Sequence, residues 1–355
     1  MNPLLDRLGV RLPIIQAPMA GTSTPAMAAA ATNAGALGSI GVAAMDAAAV
    51  CKAIVDVRAA TDGPFNVNVF CHCPATPDPV RERAWLEALR PVFHRFGVEP
   101  PAAIGEIYKS FLTDTAMQEL LLEARPPVVS FHFGLPSDDV IVRLKAAGIV
   151  LLSTATNLAE AQAAAAAGID AIVAQGIEAG GHRGMFDPAA PDAELGTLAL
   201  TRLLVSRIDL PIIAAGGIMD GAGIASALAL GAAAAQLGTA FVACAESAAD
   251  DAYRGALRSQ AAFATEFTKV ISGRPARCLP NGFTALAQAE LAGLTQPDYP
   301  IVYDAGKALI AAARAAGDGR FGAQWAGQGA PLARSLPTAE LIAELKRELA
   351  AVRAS

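Results

Sequence analysis

The chain has few charged residues and few cysteines, and each shortage excludes a class of protein. Only 17% of its 355 residues are charged whereas 54% are hydrophobic, which excludes an intrinsically disordered chain, because such chains are polar and highly charged. The net charge of −6 argues against a nucleic-acid partner, since nucleic-acid-binding proteins usually carry a basic face. The five cysteines are odd in number and scattered, so an intracellular protein with free thiols is a simpler interpretation than a disulfide framework.

The sequence also lacks a secretion signal and a convincing membrane span. Asp6, Arg7 and Arg11 interrupt the apolar run that a signal peptide would need. Residues 224–245 are long enough and nearly uncharged, but they are rich in alanine and glycine, contain Gln236, and read as a helix, a glycine and a strand. We therefore expect a cytoplasmic protein, a monomer or a homodimer, that binds no membrane.

A pattern of an alanine-rich helix, a glycine and a short apolar run recurs along the chain, for example around Gly148 and Gly168. Glycine suits the left-handed position that ends a helix, and a uniformly apolar run is typical of a parallel strand covered on both faces. Eight alternating units predict a TIM (β/α)8 barrel, with a doubly wound open sheet as the alternative. The predicted strands are residues 13–19, 37–42, 65–70, 128–133, 149–155, 171–176, 211–216 and 233–241.

The remaining residues predict an accessory region. A bare barrel takes about 250 residues, so roughly a hundred are left for insertions or a cap. Residues 71–127, which include the helical run 79–96, are too long for one crossover, and the chain after residue 245 is rich in helix. We predict a barrel over 1–245 with a lid-like insertion at about 71–127, a mostly helical cap or substrate subdomain over 246–325, and a C-terminal helix within 326–355.

Two glycine turns follow the seventh and eighth predicted strands. In TIM barrels the active site lies at the C-terminal ends of the strands, and the loops after strands 7 and 8 commonly hold phosphate. Glycines let main-chain N–H groups approach the phosphate oxygens, although simple tight turns are the alternative. No strand is followed by G-x-G-x-x-G, so a Rossmann dinucleotide site is not indicated. The residues of these turns are Gly216, Gly217, Gln236, Leu237, Gly238 and Thr239.

The sixth predicted strand ends in a glycine-rich segment that contains a histidine. Its glycines would let the main chain lie against a flat ring or an anion. His182 would then project into the barrel mouth, where it could act as a base, an acid or an anion partner near neutral pH. A loop histidine satisfied by the backbone is an equally good interpretation. The segment reads Gln175-Gly176-Ile177-Glu178-Ala179-Gly180-Gly181-His182-Arg183-Gly184.

Two further strands carry polar side chains toward the same end of the barrel. Side chains alternate along a strand, so Ser130, His132 and Gly134 share one face of the fourth strand and His132 could point to the mouth. A hydrogen-bonded histidine of the barrel interior is the alternative. Asn68 shares its face of the third strand with Asn66; a buried amide needs a partner, which a bound ring or a neighbouring main chain could provide.

The four tyrosines all fall in the stretches assigned to the insertion or the cap. If a helix begins at Pro300, Tyr303 and Lys307 share one face with Tyr299 just above them. Phenol hydroxyls and an ammonium facing the barrel mouth would form an anion pocket, whereas the spacing alone favours an ordinary amphipathic helix. The other two tyrosines are Tyr108 and Tyr253.

The segment Cys71-His72-Cys73 has the residue types of a metal site but not the spacing. Zinc sites usually use C-x2-C, and no second ligand pair is evident. We predict no metal here, and we interpret these residues as buried thiols near the end of a strand.

Taken together, these motifs resemble the nitronate monooxygenases, formerly called 2-nitropropane dioxygenases. The resemblance spans residues 13–307 and is strongest to the bacterial class I members. It rests on Thr24-Pro25, on the asparagines of the third strand, on the late glycine turns, and on the segments Gln16-Ala17-Pro18-Met19-Ala20-Gly21, Asn33-Ala34-Gly35, Ser130-Phe131-His132-Phe133-Gly134 and Glu178-Ala179-Gly180-Gly181-His182.

The resemblance implies an FMN-binding TIM barrel with a smaller cap. His182 matches the active-site histidine of the family, and Tyr108, His132, Tyr253, Tyr299, Tyr303 and Lys307 match substrate-pocket residues. Together with the glycine turns, it implies FMN bound at Ala17, Pro18, Met19, Asn68, Gln175, Gly180, Gly181, Gly216, Gly217, Gln236, Leu237, Gly238 and Thr239.

The resemblance also implies a detoxifying reaction. Small alkyl nitronates, propionate 3-nitronate foremost, would be oxidised by O2 to a carbonyl compound and nitrite through a flavin semiquinone. Whether neutral nitroalkanes are also substrates stays open. The alternatives are an NADH-dependent flavin reductase of quinones or enoyl thioesters on the same barrel and, less favoured, a non-catalytic flavin-binding barrel.

Overall fold

The structure, a computed structural model, describes residues 2–354 and contains a closed parallel barrel. Eight strands form one parallel sheet in the order β1-β9-β8-β6-β5-β4-β3-β2, and a bridge between Ile15 and Leu37 joins its two edges. The predicted TIM barrel is therefore confirmed and the open sheet is excluded. The strands are β1 (Ile14–Gln16), β2 (Gly38–Gly41), β3 (Phe65–Phe70), β4 (Val128–His132), β5 (Val150–Ala155), β6 (Ala171–Gln175), β7 (Gly181–His182), β8 (Ile212–Ala215), β9 (Ala234–Leu237), β10 (Glu266–Thr268) and β11 (Ala276–Cys278).

All eight predicted barrel strands are present, but the first, predicted over 13–19, and the eighth, predicted over 233–241, are shorter than predicted. Strand β9 stops at Leu237, and the next residues form the short helix α10 (Thr239–Val242). Both pieces are buried and apolar, and an apolar run by itself does not distinguish a strand from a buried helix. The antiparallel sheet β10-β11-β7 was not predicted.

Helices alternate with the barrel strands and also form the accessory region. Helix α7 illustrates how they begin: the side chain of Asn157 accepts a hydrogen bond from the N–H of Glu160 at 3.0 Å. The helices are α1 (Pro3–Leu8), α2 (Pro25–Asn33), α3 (Ala47–Ala60), α4 (Pro79–Arg95), α5 (Thr115–Ala124), α6 (Asp138–Ala146), α7 (Leu158–Ala166), α8 (Thr197–Val205), α9 (Gly221–Ala229), α10, α11 (Asp251–Leu257), α12 (Gly282–Gln288), α13 (Ile301–Ala315) and α14 (Thr338–Ala354), with 3-10 turns at Gln260–Ala264 and Ala330–Leu332.

The C-terminal helix α14 belongs to the outer layer of the barrel. It packs against α9 and α2, and Leu341 and Leu345 are buried among residues of both helices. The Glu348 carboxylate accepts a hydrogen bond from the N–H of Gly221 at 2.8 Å. Within residues 2–354, the helices lack the length or the hydropathy that crossing a bilayer requires.

The accessory helices share one hydrophobic core, which we call the cap core. Trp85 and Phe93 of α4 lie in the same buried cluster as Phe283 of α12 and Leu309 of α13. The insertion after β3 and the chain after residue 245 therefore pack together over the barrel. The division of the chain at residue 245 stays a prediction.

Candidate active site

A large cavity lies at the C-terminal ends of the barrel strands, under the accessory region. Its volume, counted out to the open mouth and including open solvent, is about 1530 Å³. The predicted site residues that line it are Ala17, Pro18, Met19, Asn68, Tyr108, His132, Gln175, Gly180, Gly181, His182, Gly216, Gly217, Gln236, Gly238, Thr239, Tyr253, Tyr299, Tyr303 and Lys307.

Leu237 is the predicted site residue that does not line the cavity. Its side chain is 1% exposed and packs in the core between the barrel and its outer helices. Because side chains alternate along β9, Gln236 faces the cavity and Leu237 faces away from it. Only the main chain of Leu237 is therefore available to a ligand, and its part in binding FMN stays a prediction.

The three glycine-rich turns come together on one wall of the cavity. A Cβ atom on Gly180 would lie 2.5 Å from the backbone nitrogen of Gly327, and one on Gly216 would lie 3.1 Å from that of Ala179. The N–H groups of Gly217 and Gly238 find no acceptor within residues 2–354. Free N–H groups on glycines that leave the surface open are the donors that bind a phosphate.

Glu178 fixes the turn after β6 against the next helix. Its carboxylate oxygens accept hydrogen bonds from the N–H of Thr197 at 3.0 and 2.8 Å, and from the Thr197 hydroxyl at 2.8 Å. Thr197 is the first residue of α8, and a carboxylate is favourable at this end of a helix. Glu178 therefore holds the glycine turn in place, a role that the sequence analysis did not assign.

His182 is held on β7 by contacts from both sides. β7 pairs with β11 through His182 and Ala276, and the His182 Nε2 atom lies 2.8 Å from the Ser272 hydroxyl. The side-chain amide of Gln175 donates to the His182 carbonyl at 3.0 Å. Nδ1 makes no hydrogen bond with the described residues, so this nitrogen is free for a ligand.

Burial keeps the cavity histidines neutral. Burial first, and then the charges of His132 and Arg274, lower the pKa of His182 to about 3. Burial and Arg274 lower the pKa of His132 to about 4. At neutral pH each ring can accept a proton or a hydrogen bond without carrying charge.

His132 and Gln175 use their polar atoms to shape the wall. The His132 ring contacts the Thr154 hydroxyl at 3.0 Å through Nδ1 and the His182 carbonyl at 3.3 Å through Nε2. The Gln175 side-chain oxygen accepts a hydrogen bond from the N–H of Gly184 at 2.7 Å. His132 therefore satisfies both descriptions that the sequence left open: it is hydrogen-bonded inside the barrel and it lines the mouth.

Tyrosines and one lysine form the outer part of the cavity. The Lys307 Nζ atom lies 4.6 Å from the ring centre of Tyr108 and 5.7 Å from that of Tyr303. The Tyr253 hydroxyl donates to the Trp325 carbonyl, whereas the buried Tyr299 hydroxyl has no partner among residues 2–354. Burial lowers the pKa of Lys307, although its ammonium remains exposed at the mouth and supplies positive charge there.

Several residues around the cavity were missed by sequence reasoning. The Trp325 ring lies 5.1 Å from the His182 ring, and Phe70 lies 6.3 Å from it. Ser272 and Arg274 stand in the turn between β10 and β11. Ser272, Arg274 and Trp325 come from irregular segments that meet the barrel only through long-range packing, so no local pattern marks them.

A second cavity adjoins the first on the side of α3, with a volume of about 1200 Å³ counted out to its mouth. Residues 42–48 and 106–109 form most of its wall. Ala44, Phe70 and Tyr108 line both cavities. The Tyr108 side chain is therefore part of the partition between them.

The segment after β3 contains one exposed and one buried cysteine on either side of His72. Cys71 and His72 are buried, but Cys73 is exposed, so the prediction of buried thiols was wrong for Cys73, which lies beyond the end of the strand. All five cysteines are free thiols. Within residues 2–354, no group of three or more histidine, cysteine or acidic side chains lies close enough together to hold a metal ion.

Comparison with known proteins agrees with this geometry. The model of the family "Nitronate monooxygenase" matches residues 2–348. The nitronate monooxygenase of Paraburkholderia phytofirmans is 63% identical over 98% of this chain and 94% of its own length, and that of Pseudomonas aeruginosa is 57% identical over 96% of this chain and 97% of its own length.

Solved structures give the same relationship. A nitroalkane oxidase from Streptomyces ansochromogenes superposes with a TM-score of 0.90 at 40% identity and covers 99% of both chains. FabK from Thermotoga maritima superposes with a TM-score of 0.75 at 29% identity over 100% of this chain and 97% of that one. The matched family model, the two relatives and the barrel with its histidine-bearing cavity all lead to one conclusion: this chain belongs to the nitronate monooxygenase family.

Proposed function

We propose that the protein is an FMN-dependent nitronate monooxygenase that oxidises small alkyl nitronates, such as propionate 3-nitronate, with O2 to a carbonyl compound and nitrite. One observation carries the proposal: an anchored His182 lies in a cavity that is lined by glycine turns and has tyrosines and the Lys307 ammonium at its mouth. The glycine turns suit a phosphate-bearing cofactor and the mouth suits a small anion. The nitronate monooxygenase relatives support the choice of reaction.

The residues of the cavity fit FMN. The unpaired N–H groups of Gly217 and Gly238, with the Thr239 hydroxyl nearby, would hold the phosphate. Asn68 and the segment Ala17-Pro18-Met19 also line the cavity, and a flat ring would lie against them. Ala17 adjoins the Gly238 turn, because β1 pairs with β9. When bound, the flavin would accept electrons from the nitronate and pass them to oxygen.

The protein would contribute binding and orientation of the anion. The Lys307 ammonium attracts a nitronate to the mouth, and the unpartnered Tyr299 hydroxyl can donate a hydrogen bond to one of its oxygens. Burial raises the pKa of Tyr299 well above its usual range, so this hydroxyl keeps its proton at neutral pH and remains a donor.

His182 would contact the substrate through Nδ1. The ring is neutral because burial lowers its pKa to about 3, and Nε2 is occupied by the Ser272 hydroxyl. A nitronate has already lost its α-proton, so the ring need only orient it. With a neutral nitroalkane, Nδ1 would have to remove the α-proton itself.

Replacing His182 with Asn separates these two roles. An asparagine keeps a polar side chain but cannot act as a base of comparable strength. If the histidine only orients an anion, nitronate turnover should fall about tenfold or less, whereas loss of a general base should cost about 10²–10⁴-fold with a neutral nitroalkane. Unchanged nitronate turnover in His182→Asn would show that His182 has no part in the reaction.

An NADH-dependent flavin reductase on the same barrel is the second candidate. An enoyl reductase domain from Bacillus amyloliquefaciens superposes with a TM-score of 0.63, but at 12% identity this likeness concerns the fold. Anaerobic mixing decides between them. Rapid bleaching of the flavin by NADH would favour the reductase, and nitrite release from a nitronate in air would favour the monooxygenase. A protein that binds FMN and does neither would be the non-catalytic barrel.

A further inference from the structure

Arg274 is a buried cation without an acidic partner. It lies in the turn between β10 and β11 and is 3% exposed. Its guanidinium donates to the Met185 carbonyl, and its Nε atom has no hydrogen-bond partner within residues 2–354. It forms no salt bridge within residues 2–354, although the carboxylates of Glu160 and Asp187 act on it from a greater distance. Burial lowers the pKa of Arg274 to about 10, so the group still carries its charge at neutral pH.

A neighbouring arginine shows the usual way of burying such a charge. Arg183 is 2% exposed, and Asp192 binds it through two hydrogen bonds of 2.7 and 2.9 Å. Burying a charge is costly unless an opposite charge compensates it. Burial still lowers the pKa of Arg274 overall, and the more distant Glu160 and Asp187 compensate its charge only in part. Part of its field is therefore left to act on the cavity.

The cavity lies one aromatic layer away from this charge. The Arg274 guanidinium carbon is 4.0 Å from the centre of the Phe133 ring, and the Phe133 ring is 5.6 Å from the rings of both His182 and Tyr299. The electric field of Arg274 reaches the buried histidines. Burial is the main cause of the low pKa of His132 and of His182, and the charge of Arg274 lowers both pKa values further. A charge acts over such distances when no water screens it.

The charge also lies in a segment that holds the reactive histidine. Ser272 contacts His182, and a Cβ atom on Gly273 would come within 2.9 Å of the backbone nitrogen of Tyr299. The turn that carries Arg274 is therefore fitted between His182 and Tyr299. A cation in this place lies behind Phe133, close to the two residues that we propose contact the substrate.

We propose that Arg274 determines specificity: its unpaired buried charge favours an anionic nitronate over a neutral nitroalkane in the cavity. This inference rests on the proposed function and adds a residue that does not touch the substrate. Lys307 attracts anions at the open mouth, where water screens its charge, whereas Arg274 acts from a buried position behind the cavity wall.

The test uses two neutral variants, Arg274→Gln and Arg274→Met, and the charge-preserving Arg274→Lys. The glutamine can still donate to the Met185 carbonyl, so at least one neutral variant should fold. Nitrate, a planar anion with the oxygen arrangement of a nitro group, serves as the probe in calorimetric titration of the flavin-loaded protein. We expect the neutral variants to bind nitrate about tenfold more weakly, which corresponds to about 1.4 kcal/mol, and Arg274→Lys to lie within threefold of the wild type.

Arg277 offers a matched control on the same hairpin. It is 6% exposed, its guanidinium carbon lies 4.3 Å from the Phe267 ring centre, and it donates to the carbonyls of Ile177 and Thr265. Arg277→Met removes a buried arginine of similar setting that does not perturb the cavity histidines. It should leave nitrate affinity within about twofold.

Histidine NMR supplies a readout that does not depend on turnover. The chain has four histidines, and the exposed ring of His94 serves as the internal reference. In the neutral Arg274 variants, the signals of His132 and His182 should titrate at higher pH than in the wild type.

The proposal is overturned if those signals move while nitrate affinity and the ratio of kcat/KM for nitronate to that for nitroalkane stay unchanged. It is also overturned if Arg277→Met weakens nitrate binding as much as the Arg274 variants do. A wild-type protein without nitronate turnover would refute the proposed function, and the nitrate titration would still decide whether Arg274 favours anions.

Discussion

Three buried histidines should make the protein sensitive to mild acid. Burial lowers the pKa of His72 and of His132 to about 4 and that of His182 to about 3. In the unfolded chain a histidine titrates near 6.5. As the pH falls below about 6.5, the unfolded state takes up protons that the folded state does not accept. Stability is therefore complete above pH 6.5 and is lost as the pH falls toward 4.

The size of the loss follows from these values. One pH unit below the unfolded pKa costs about 1.4 kcal/mol for each histidine that stays neutral in the fold. Between pH 7 and pH 5 this amounts to about 2 kcal/mol for each ring and about 6 kcal/mol for the three together. Urea unfolding of the flavin-loaded protein at the two pH values, followed by tryptophan fluorescence, measures the difference.

A substitution of His72 tests whether buried histidines cause the loss of stability in acid. Both of its ring nitrogens lack a partner within residues 2–354, and its ring packs edge-on against Tyr299 at 4.9 Å. His72→Leu should therefore change stability at pH 7 by only about 1 kcal/mol, within the cost of a similar-sized apolar swap, and should reduce the loss at pH 5 by about 2 kcal/mol.

His94→Gln is the matched control, because the His94 ring is exposed and contacts the Glu99 carboxylate at 2.8 Å. It should not reduce the loss of stability between pH 7 and pH 5. If His72→Leu and the wild type lose equal free energy on acidification, the reasoning from buried neutral histidines is refuted.

Two further predictions concern the cavity walls. Gly180→Ala places a Cβ atom 2.5 Å from the backbone nitrogen of Gly327, so the two turns must separate. We expect the free energy of unfolding to fall by about 1–3 kcal/mol and the purified protein to contain less flavin. An unchanged flavin content would contradict the proposed binding of FMN at the glycine turns. Tyr108→Ala removes part of the partition to the second cavity. The kcat/KM for butyl nitronate relative to ethyl nitronate should rise about tenfold, since its two additional methylenes contribute about 0.8 kcal/mol each when buried. An equal fall for both substrates would contradict this.

The barrel could be predicted from the sequence because each of its units is local. The glycine that ends a helix and the apolar run behind it lie within about ten residues of each other, as at Gly148 and β5. Their repetition fixed the number and order of the strands. The overlong eighth strand shows the limit of this reasoning, since Phe241 is as apolar and buried in α10 as it would be in a strand.

The support around the histidine could not be predicted in the same way. β7 pairs with β11 across about a hundred residues of chain, and register between such distant strands leaves no periodic signal. Ser272 and Arg274 look like ordinary residues of a turn until that pairing brings them behind His182. The sequence marked the residues that line the cavity, largely through the family resemblance, but it did not mark the residues that hold them.

The cap core has a consequence for exchanging parts between relatives. Side chains of α4 and α13 pack in the same hydrophobic cluster. A chimera that takes only one of these helices from a relative would therefore have voids or clashes where the two helices meet. To give this barrel the substrate preference of another family member, the insertion after β3 and the chain after residue 245 must therefore be exchanged together. We also expect the sequences of these two segments to change together during the evolution of the family.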